Sequence, residues 1–137
     1  MFQYVWKSML CYFSIYLFLS VPQSSPMPLT CQSNKPTELT LSWKKVQAND
    51  WNGFQRHYRA EYAIYTNKNK SNFMTTTFRP QKSEGIIEGL KQFTKYTVYL
   101  MAETKIGKGP KAWVVCDTME GGKYNPLHYR NLKTYCI

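Results

Sequence analysis

The clearest alternation of hydrophobic and polar residues in the chain lies in the stretch YTVYLMAE, residues 96–103. Apolar side chains occupy every second position on one side of this stretch: Tyr96, Val98, Leu100 and Ala102. A period of two is the pattern of a β-strand with one buried face. The strand follows Gly89-Leu90 and a short polar turn, and it ends before a GKGP turn at residues 107–110.

Six further segments have the length and composition of strands and are separated by turn-forming residues. In one of them Leu39, Leu41 and Trp43 alternate with polar side chains. The seven predicted strands are residues 29–33, 38–43, 57–65, 73–78, 85–88, 96–103 and 111–118. Short strands joined by polar turns predict an all-β sandwich.

The two ends of the chain have different patterns. Residues 9–21 form an almost wholly apolar run after Lys7, as in a secretory signal peptide, and the run is short for a membrane span of about twenty residues. An uncleaved anchor and a start that is not native are the alternatives. We expect a signal peptide or hydrophobic anchor in residues 1–21, a Pro/Ser linker in 22–27, one domain in 28–121 and an irregular tail in 122–137.

Four patterns occur in the order and spacing of a fibronectin type III domain and resemble its motifs. They are LxLxW at residues 39–43, YRAEY at 58–62, TxYxVxLxA at 94–102 followed by GxGP at 107–110, and TxEG at 118–121. The resemblance covers residues 26–121. It implies a seven-stranded, immunoglobulin-like β-sandwich whose core includes Trp43, Tyr58, Leu90 and Tyr96. It also implies a tyrosine corner, in which the Tyr96 hydroxyl bonds to backbone upstream.

The Trp51-Asn52-Gly53 turn and the run AxTxxGxGP at residues 102–110 look most like the repeats of neural adhesion molecules and receptor-type tyrosine phosphatases. The resemblance implies a non-enzymatic extracellular module, secreted or displayed at the cell surface. Such a module makes protein–protein contacts or acts as a spacer in an adhesion or receptor molecule, and the identity of the protein partner stays open. An intracellular structural repeat is the alternative if residues 1–21 are spurious.

The chain is strongly basic, with 18 Lys and Arg against 8 Asp and Glu and a formal net charge of +10. A basic surface favours acidic partners, so a module that binds sulfated glycans or other polyanions is a second functional hypothesis. The turn after residues 96–103 supplies candidate contacts at Lys105, Lys108 and Lys111. No nucleic-acid partner is expected.

The sequence contains no recognisable catalytic or cofactor motif. The four Cys form no CxxC pair, and His57 and His128 have no zinc-ligand spacing. There is neither a glycine-rich phosphate loop nor a nucleophile elbow. We therefore expect neither an enzyme nor a metal or cofactor site.

Two covalent features depend on the fold that the resemblance implies. Cys31 and Cys116 would both face inward on neighbouring strands, which allows a disulfide, and two buried free thiols are the alternative. The triplet Asn69-Lys70-Ser71 is an N-glycosylation acceptor within a polar turn. We expect Asn69 to carry a glycan if the chain is extracellular.

The outward positions of three neighbouring strands contain unusually large apolar side chains. The candidate contact patch consists of Tyr99, Met101, Trp113 and Val115, with Ala63 beside them. Exposed apolar patches of this kind mark contact sites. The alternative is that the tail, a neighbouring domain or the aliphatic stems of Lys95 and Lys111 cover these residues.

Overall fold

The computed structural model describes residues 20–66 and 72–121, which contain seven β-strands. The strands are β1 (Leu29–Lys35), β2 (Glu38–Trp43), β3 (Gln55–Ile64), β4 (Met74–Phe78), β5 (Glu84–Ile87), β6 (Lys95–Thr104) and β7 (Ala112–Asp117). A single turn of 3₁₀ helix, Ala48–Trp51, interrupts the connection between β2 and β3. The predicted all-β class and the seven strands are confirmed, with strand ends that differ by one or two residues.

Two antiparallel sheets form the sandwich. One sheet has the order β1-β2-β5 and the other has the order β4-β3-β6-β7. The long strands β3 and β6 pair over nearly their whole length, from Gln55 opposite Thr104 to Ile64 opposite Tyr96. Strands β3 and β6 therefore form the centre of the four-stranded sheet, with β4 and β7 at its edges.

The core lies between the sheets and is built from the alternating residues of both. The four core residues expected from the resemblance, Trp43, Tyr58, Leu90 and Tyr96, are all buried. The Trp43 and Trp51 rings each contact Tyr58 edge-on at a centroid distance of 5.3 Å. Aromatic pairs in this geometry add about 1 kcal/mol to the free energy gained by burying their area.

Buried aromatic side chains also hold the loops by hydrogen bonds to the backbone. The Tyr96 hydroxyl accepts from the backbone N–H of Lys91 at 2.9 Å, five residues upstream. The Trp51 indole N–H donates to the carbonyl of Val46 at 3.1 Å. Each ring therefore contributes apolar area to the core and satisfies a loop group that would otherwise lose its solvent partner.

The segment before β1 packs against the sandwich. Pro22 and Pro26, in the stretch predicted as a linker, are fully buried. The backbone N–H of Gln23 donates to the carbonyl of Asp50 at 2.7 Å, and a Cβ on Gly109 would lie 2.7 Å from Pro22. Glycine at position 109 therefore allows this segment to approach the turn between β6 and β7.

Several predictions fall outside the described residues. They concern most of the apolar segment 1–21, the tail 122–137 and the acceptor Asn69. Within residues 20–66 and 72–121, no helix is long and apolar enough to cross a membrane.

Candidate functional site

The outer face of the four-stranded sheet, the side turned away from the core, carries a row of aromatic side chains. Tyr99 on β6 lies directly opposite Trp113 on β7. The Phe73 ring, from the residue before β4, reaches Tyr99 at a centroid distance of 5.6 Å. Trp113 is 64% exposed and Phe73 is 48% exposed, so the row presents aromatic surface to solvent. We call Phe73, Tyr99 and Trp113 the aromatic row.

Two lysines lie over rings on this face. The Lys111 Nζ is 5.1 Å from the centroid of the Tyr99 ring. At the neighbouring end of the sheet, the Lys95 Nζ is 6.0 Å from the ring of Tyr65, which is itself half-exposed. Cations at such distances are attracted to the ring faces by about 0.5–1 kcal/mol at exposed sites. They give the aromatic row a basic border.

Two glutamates on the same face form ion pairs with basic side chains beside the aromatic row. Glu61 accepts a hydrogen bond from Lys108 and lies 3.6 Å from the Nζ of Lys111. The bond from Lys108 is the main cause that holds the pKa of Glu61 below its usual value. A basic turn and an acidic strand residue thus neutralise each other 47 positions apart in the sequence.

The second glutamate, Glu103, lies at the end of β6 and is 8% exposed. It accepts from Arg59 Nε at 2.5 Å and lies 2.8 Å from His57 Nε2. The Arg59 hydrogen bond is the main cause of a lowered pKa at Glu103, with a smaller contribution from His57. The same hydrogen bond raises the pKa of Arg59.

The structure corrects the candidate contact patch at Met101. Met101 is fully buried although it points to the outer face, so the prediction that it is exposed is wrong. It lies opposite Arg59 in the β3–β6 register and between the two glutamate clusters. We attribute its burial to the long side chains that these clusters draw across the sheet, because Lys and Arg stems cover apolar surface while their charged ends stay hydrated.

The remaining patch residues have different exposures. Tyr99 and Val115 are half-buried, and Trp113 projects furthest into solvent. Ala63 is also buried. Phe73 was not predicted as part of this face. Only the register of β4 against β3, with Met74 opposite Tyr62, could have assigned it there.

The three basic candidates separate into two kinds. Lys108 and Lys111 are engaged with Glu61, as described above. Lys105 is exposed, and the ion pairs among residues 20–66 and 72–121 do not include it. The turn between β6 and β7 is therefore less basic than its sequence indicates.

The two inward-facing cysteines of β1 and β7 lie side by side. The Cα atoms of Cys31 and Cys116 are 6.3 Å apart, and the sulfur atoms are in bonding contact. Cys116 is buried and Cys31 is partly exposed at the seam between the sheets. A Cα separation in this range suits a disulfide. In the part of the chain that the structure describes, no three His, Cys, Asp or Glu side chains cluster as metal ligands would.

Comparison with known proteins gives a consistent set of matches. The model of the fibronectin type III domain family matches residues 24–116. Receptor-type tyrosine-protein phosphatase F of Mus musculus is 27% identical over 93 residues, which are 68% of this chain and 5% of the relative. Cell adhesion molecule Dscam1 of Drosophila melanogaster is 28% identical over 95 residues, which are 65% of this chain and 5% of the relative.

A solved structure agrees in fold. The crystal structure of the FN5 domain of Drosophila Lar superposes with a TM-score of 0.60 at 23% identity, covering 74% of this chain and 100% of that domain. This level of identity shows the fold alone. The chain spans about one twentieth of the length of the curated relatives it matches.

Proposed function

The chain belongs to the fibronectin type III domain family, and from that membership we propose that it is a non-enzymatic extracellular module that makes protein–protein contact in a cell adhesion or receptor molecule. The relatives carry the names of receptor-type phosphatases and of a cell adhesion molecule. The region of similarity is a fibronectin type III domain and makes up about one twentieth of each relative. The phosphatase activity in a relative's name is therefore not transferred to this chain.

The aromatic row is the observation that carries the contact proposal. Trp and Tyr dominate the energetic centres of protein interfaces because they bury a large area and lose little side-chain entropy. Trp113 exposes most of its surface, and Tyr99 and Phe73 extend the same apolar strip across the sheet. Lys111 and Lys108, which pair with Glu61, supply a polar rim of the kind that surrounds interface cores.

Two features support the extracellular part of the proposal. The bonding contact of Cys31 and Cys116 suits an oxidising compartment, because disulfides persist in secreted proteins and are rare in the cytosol. The acceptor triplet at Asn69 is used only by chains that enter the secretory pathway. An intracellular structural repeat would keep both thiols reduced and Asn69 unmodified.

A binding assay that compares a variant in the aromatic row with a matched variant outside it tests the contact proposal. The full chain is fused to a dimeric carrier, applied to a panel of animal cells and titrated to saturation. We expect Trp113→Ala to weaken binding at least about tenfold, since interface tryptophans cost about 2 kcal/mol or more on truncation. The control is Phe54→Ala, because Phe54 is 75% exposed and lies about 20 Å along β3 from the aromatic row.

Two results would contradict the contact proposal. One is saturable binding that Trp113→Ala and Phe54→Ala weaken equally, which would remove the aromatic row from the interface. The other is binding that collapses between about 50 and about 200 mM salt and is insensitive to both variants, which is the behaviour of a polyanion binder. Contact through the aromatic row predicts only a shallow dependence on salt.

The polyanion hypothesis at Lys105, Lys108 and Lys111 loses support from the geometry. Two of its three cations already neutralise Glu61, and a sulfate group would have to compete with that carboxylate. Charge reversal at Lys105 is therefore expected to change the affinity for a polyanion only slightly, by less than about threefold.

A further inference from the structure

The two seams of the sandwich, where an edge strand of one sheet faces an edge strand of the other, differ from each other. At one seam β1 and β7 contact each other, and the Cys31–Cys116 pair joins them. At the other seam no backbone pairing joins β4 and β5 in the part of the chain that the structure describes. A groove of about 930 Å³ is lined by residues of both strands, and we call it the open seam. Its lining includes Thr77, Phe78, Lys82, Glu84, Gly85 and Ile86.

The free edge of β5 turns backbone hydrogen-bonding groups toward the open seam. The backbone N–H of Trp43 donates to the carbonyl of Ser83 at 2.9 Å, which fixes the phase of the ladder between β2 and β5. In an antiparallel ladder, residues that bond to the partner strand alternate with residues whose N–H and C=O point away from it. The register places Thr40 opposite Ile86, so Glu84 and Ile86 point their backbone groups away from β2. These groups can therefore pair with an added strand.

The edge strands β4 and β5 lack most of the features that protect an exposed edge. Proteins protect such edges by keeping them short, by Lys or Pro within the strand, or by a β-bulge. Strand β5 has only four residues, which limits any added pairing to a short segment. The sequences MTTTF of β4 and EGII of β5 contain neither Lys nor Pro, and the pairing of each strand with its neighbour shows no register shift. The edges are therefore open to another chain.

Apolar side chains lie beside these backbone groups. Ile86 lines the groove and is 49% exposed. The Phe78 ring extends from β4 so close to β5 that a Cβ on Gly85 would lie 2.4 Å from Phe78 Cε1. The ring also contacts Trp43 at a centroid distance of 5.4 Å, which ties it to the core. A bound chain would therefore meet apolar surface together with main-chain donors and acceptors, as an extended peptide does when it adds to a sheet.

The charges of the groove and of the whole chain favour an acidic segment. Arg79 and Lys82 both line the groove, against one carboxylate, Glu84. The ion pairs among residues 20–66 and 72–121 include neither of these two cations. The whole chain has a formal net charge of +10, so a second copy would be repelled and an acidic segment would be attracted.

We propose that the open seam binds an extended acidic peptide segment of a partner protein, which adds as a strand to the free edge of β5. Main-chain hydrogen bonds at Glu84 and Ile86 would supply affinity for an extended backbone. Alternate side chains of the segment would pack on Ile86 and Phe78, and its carboxylates would pair with Arg79 and Lys82. This contact goes beyond the one proposed at the aromatic row, because it uses main-chain groups of the other sheet.

The experiment selects ligands of the full chain from a library of random linear peptides of about ten residues, long enough to span β5 at about 3.4 Å per residue. Selection at about 150 mM salt screens diffuse attraction to the basic surface. The selected peptides should be rich in Asp or Glu. Their affinities are then measured for the native chain and for variants of it.

The decisive variant is Ile86→Pro. It removes an N–H that faces the groove and leaves the bonds to β2 in place, since proline is tolerated at edge positions of this kind. We expect Ile86→Pro to weaken peptide binding at least about tenfold, whereas the control Ile86→Thr, which keeps the N–H, should weaken it less than about threefold. R79Q/K82Q should also weaken binding about tenfold, and the charge-matched control K91Q/K105Q, at exposed lysines elsewhere, less than about twofold.

A second measurement leaves the protein unchanged. One edge of an added strand pairs with β5, and the groups on its other edge alternate with the paired ones. Methylation of alternate backbone nitrogens of a selected peptide should therefore abolish binding in one phase and preserve it in the other. This result tests the main-chain pairing even if circular dichroism shows that Ile86→Pro is not folded.

Four outcomes would overturn the proposal. Equal affinity of the peptides for folded Ile86→Pro and Ile86→Thr would remove the main chain of β5 from the contact. Peptides that tolerate methylation in both phases would not be added strands. Loss of peptide binding in Trp113→Ala would assign the peptides to the aromatic row. A dimer of the full chain that Ile86→Pro dissociates, without any peptide that depends on residue 86, would assign the open seam to a second copy.

Discussion

Replacing Glu103 with Gln tests the ionic cluster that seals the outer face of the four-stranded sheet. Glu103 is nearly buried and accepts from Arg59 at 2.5 Å, with His57 at 2.8 Å on the same carboxylate oxygen. Glutamine keeps the size of the side chain and removes its charge. Arg59 would then lose the carboxylate that accepts its hydrogen bond.

The size of the effect follows from the burial of the partners. A hydrogen bond to a charged group contributes about 1.5–3 kcal/mol, and Arg59 and His57 are partly exposed, so we expect a loss near the low end, about 1–2 kcal/mol. With a urea m-value of about 1–2 kcal/mol/M for a domain of this size, the midpoint should fall by about 1 M. The control Glu120→Gln removes an exposed carboxylate and should change stability by less than about 0.5 kcal/mol.

The pH dependence of the same variant separates charge from packing. The pKa of Glu103 is held below its ordinary value of 4.5 by Arg59 and His57. Its stabilising contribution is therefore complete above that ordinary value and is lost as the pH falls through the lowered pKa of the folded state. The difference in unfolding free energy between the native chain and Glu103→Gln should be largest near pH 7 and smaller near pH 3.

Urea denaturation followed by tryptophan fluorescence at about pH 7 and about pH 3 measures both quantities. The reasoning fails if Glu103→Gln is as stable as Glu120→Gln near pH 7. It also fails if the deficit of Glu103→Gln is the same at both pH values, because the cost would then come from packing and not from the charge.

Two further predictions concern the stability of the sandwich. Tyr96→Phe removes the acceptor of the Lys91 N–H and should lower the free energy of unfolding by about 1–2 kcal/mol. The melting temperature should then fall by roughly 5–10 °C. An unchanged melting temperature in circular dichroism would show that water replaces the hydroxyl. Reducing the Cys31–Cys116 disulfide, which spans 85 residues, should lower the free energy of unfolding by about 4–5 kcal/mol in the chain-entropy model. A urea midpoint that does not respond to reductant would show that the pair is not bridged in solution.

The strands and the core could be predicted because their signal is local. In β6 the alternation itself determines that Tyr96 and Leu100 face the core, and no knowledge of neighbouring strands is needed. The polar sequence of the long loop before β3 does not indicate the 3₁₀ turn that buries Trp51. The family resemblance supplied the expectation of a tyrosine corner at Tyr96.

The outer face could be predicted only in part, because its exposure depends on pairings between distant residues. Met101 has the alternation of an exposed residue, yet it is fully buried, and we attribute this burial to the hydrogen-bonded pair of Arg59 and Glu103, which lie 44 positions apart in the sequence. The charge that Lys108 presents to solvent also depends on a distant residue, because its partner Glu61 lies on another strand. Phe73 enters the aromatic row through the register of β4, which the sequence of that short strand does not determine.

The most direct test of an extracellular module is the intact mass of the full chain expressed in animal cells, with and without glycosidase and with alkylation under native redox conditions. We predict a secreted product with a glycan on Asn69 and with two thiols, Cys31 and Cys116, that alkylate only after reduction. A product that stays inside the cell without a glycan, and in which every cysteine alkylates without reduction, would contradict the extracellular proposal.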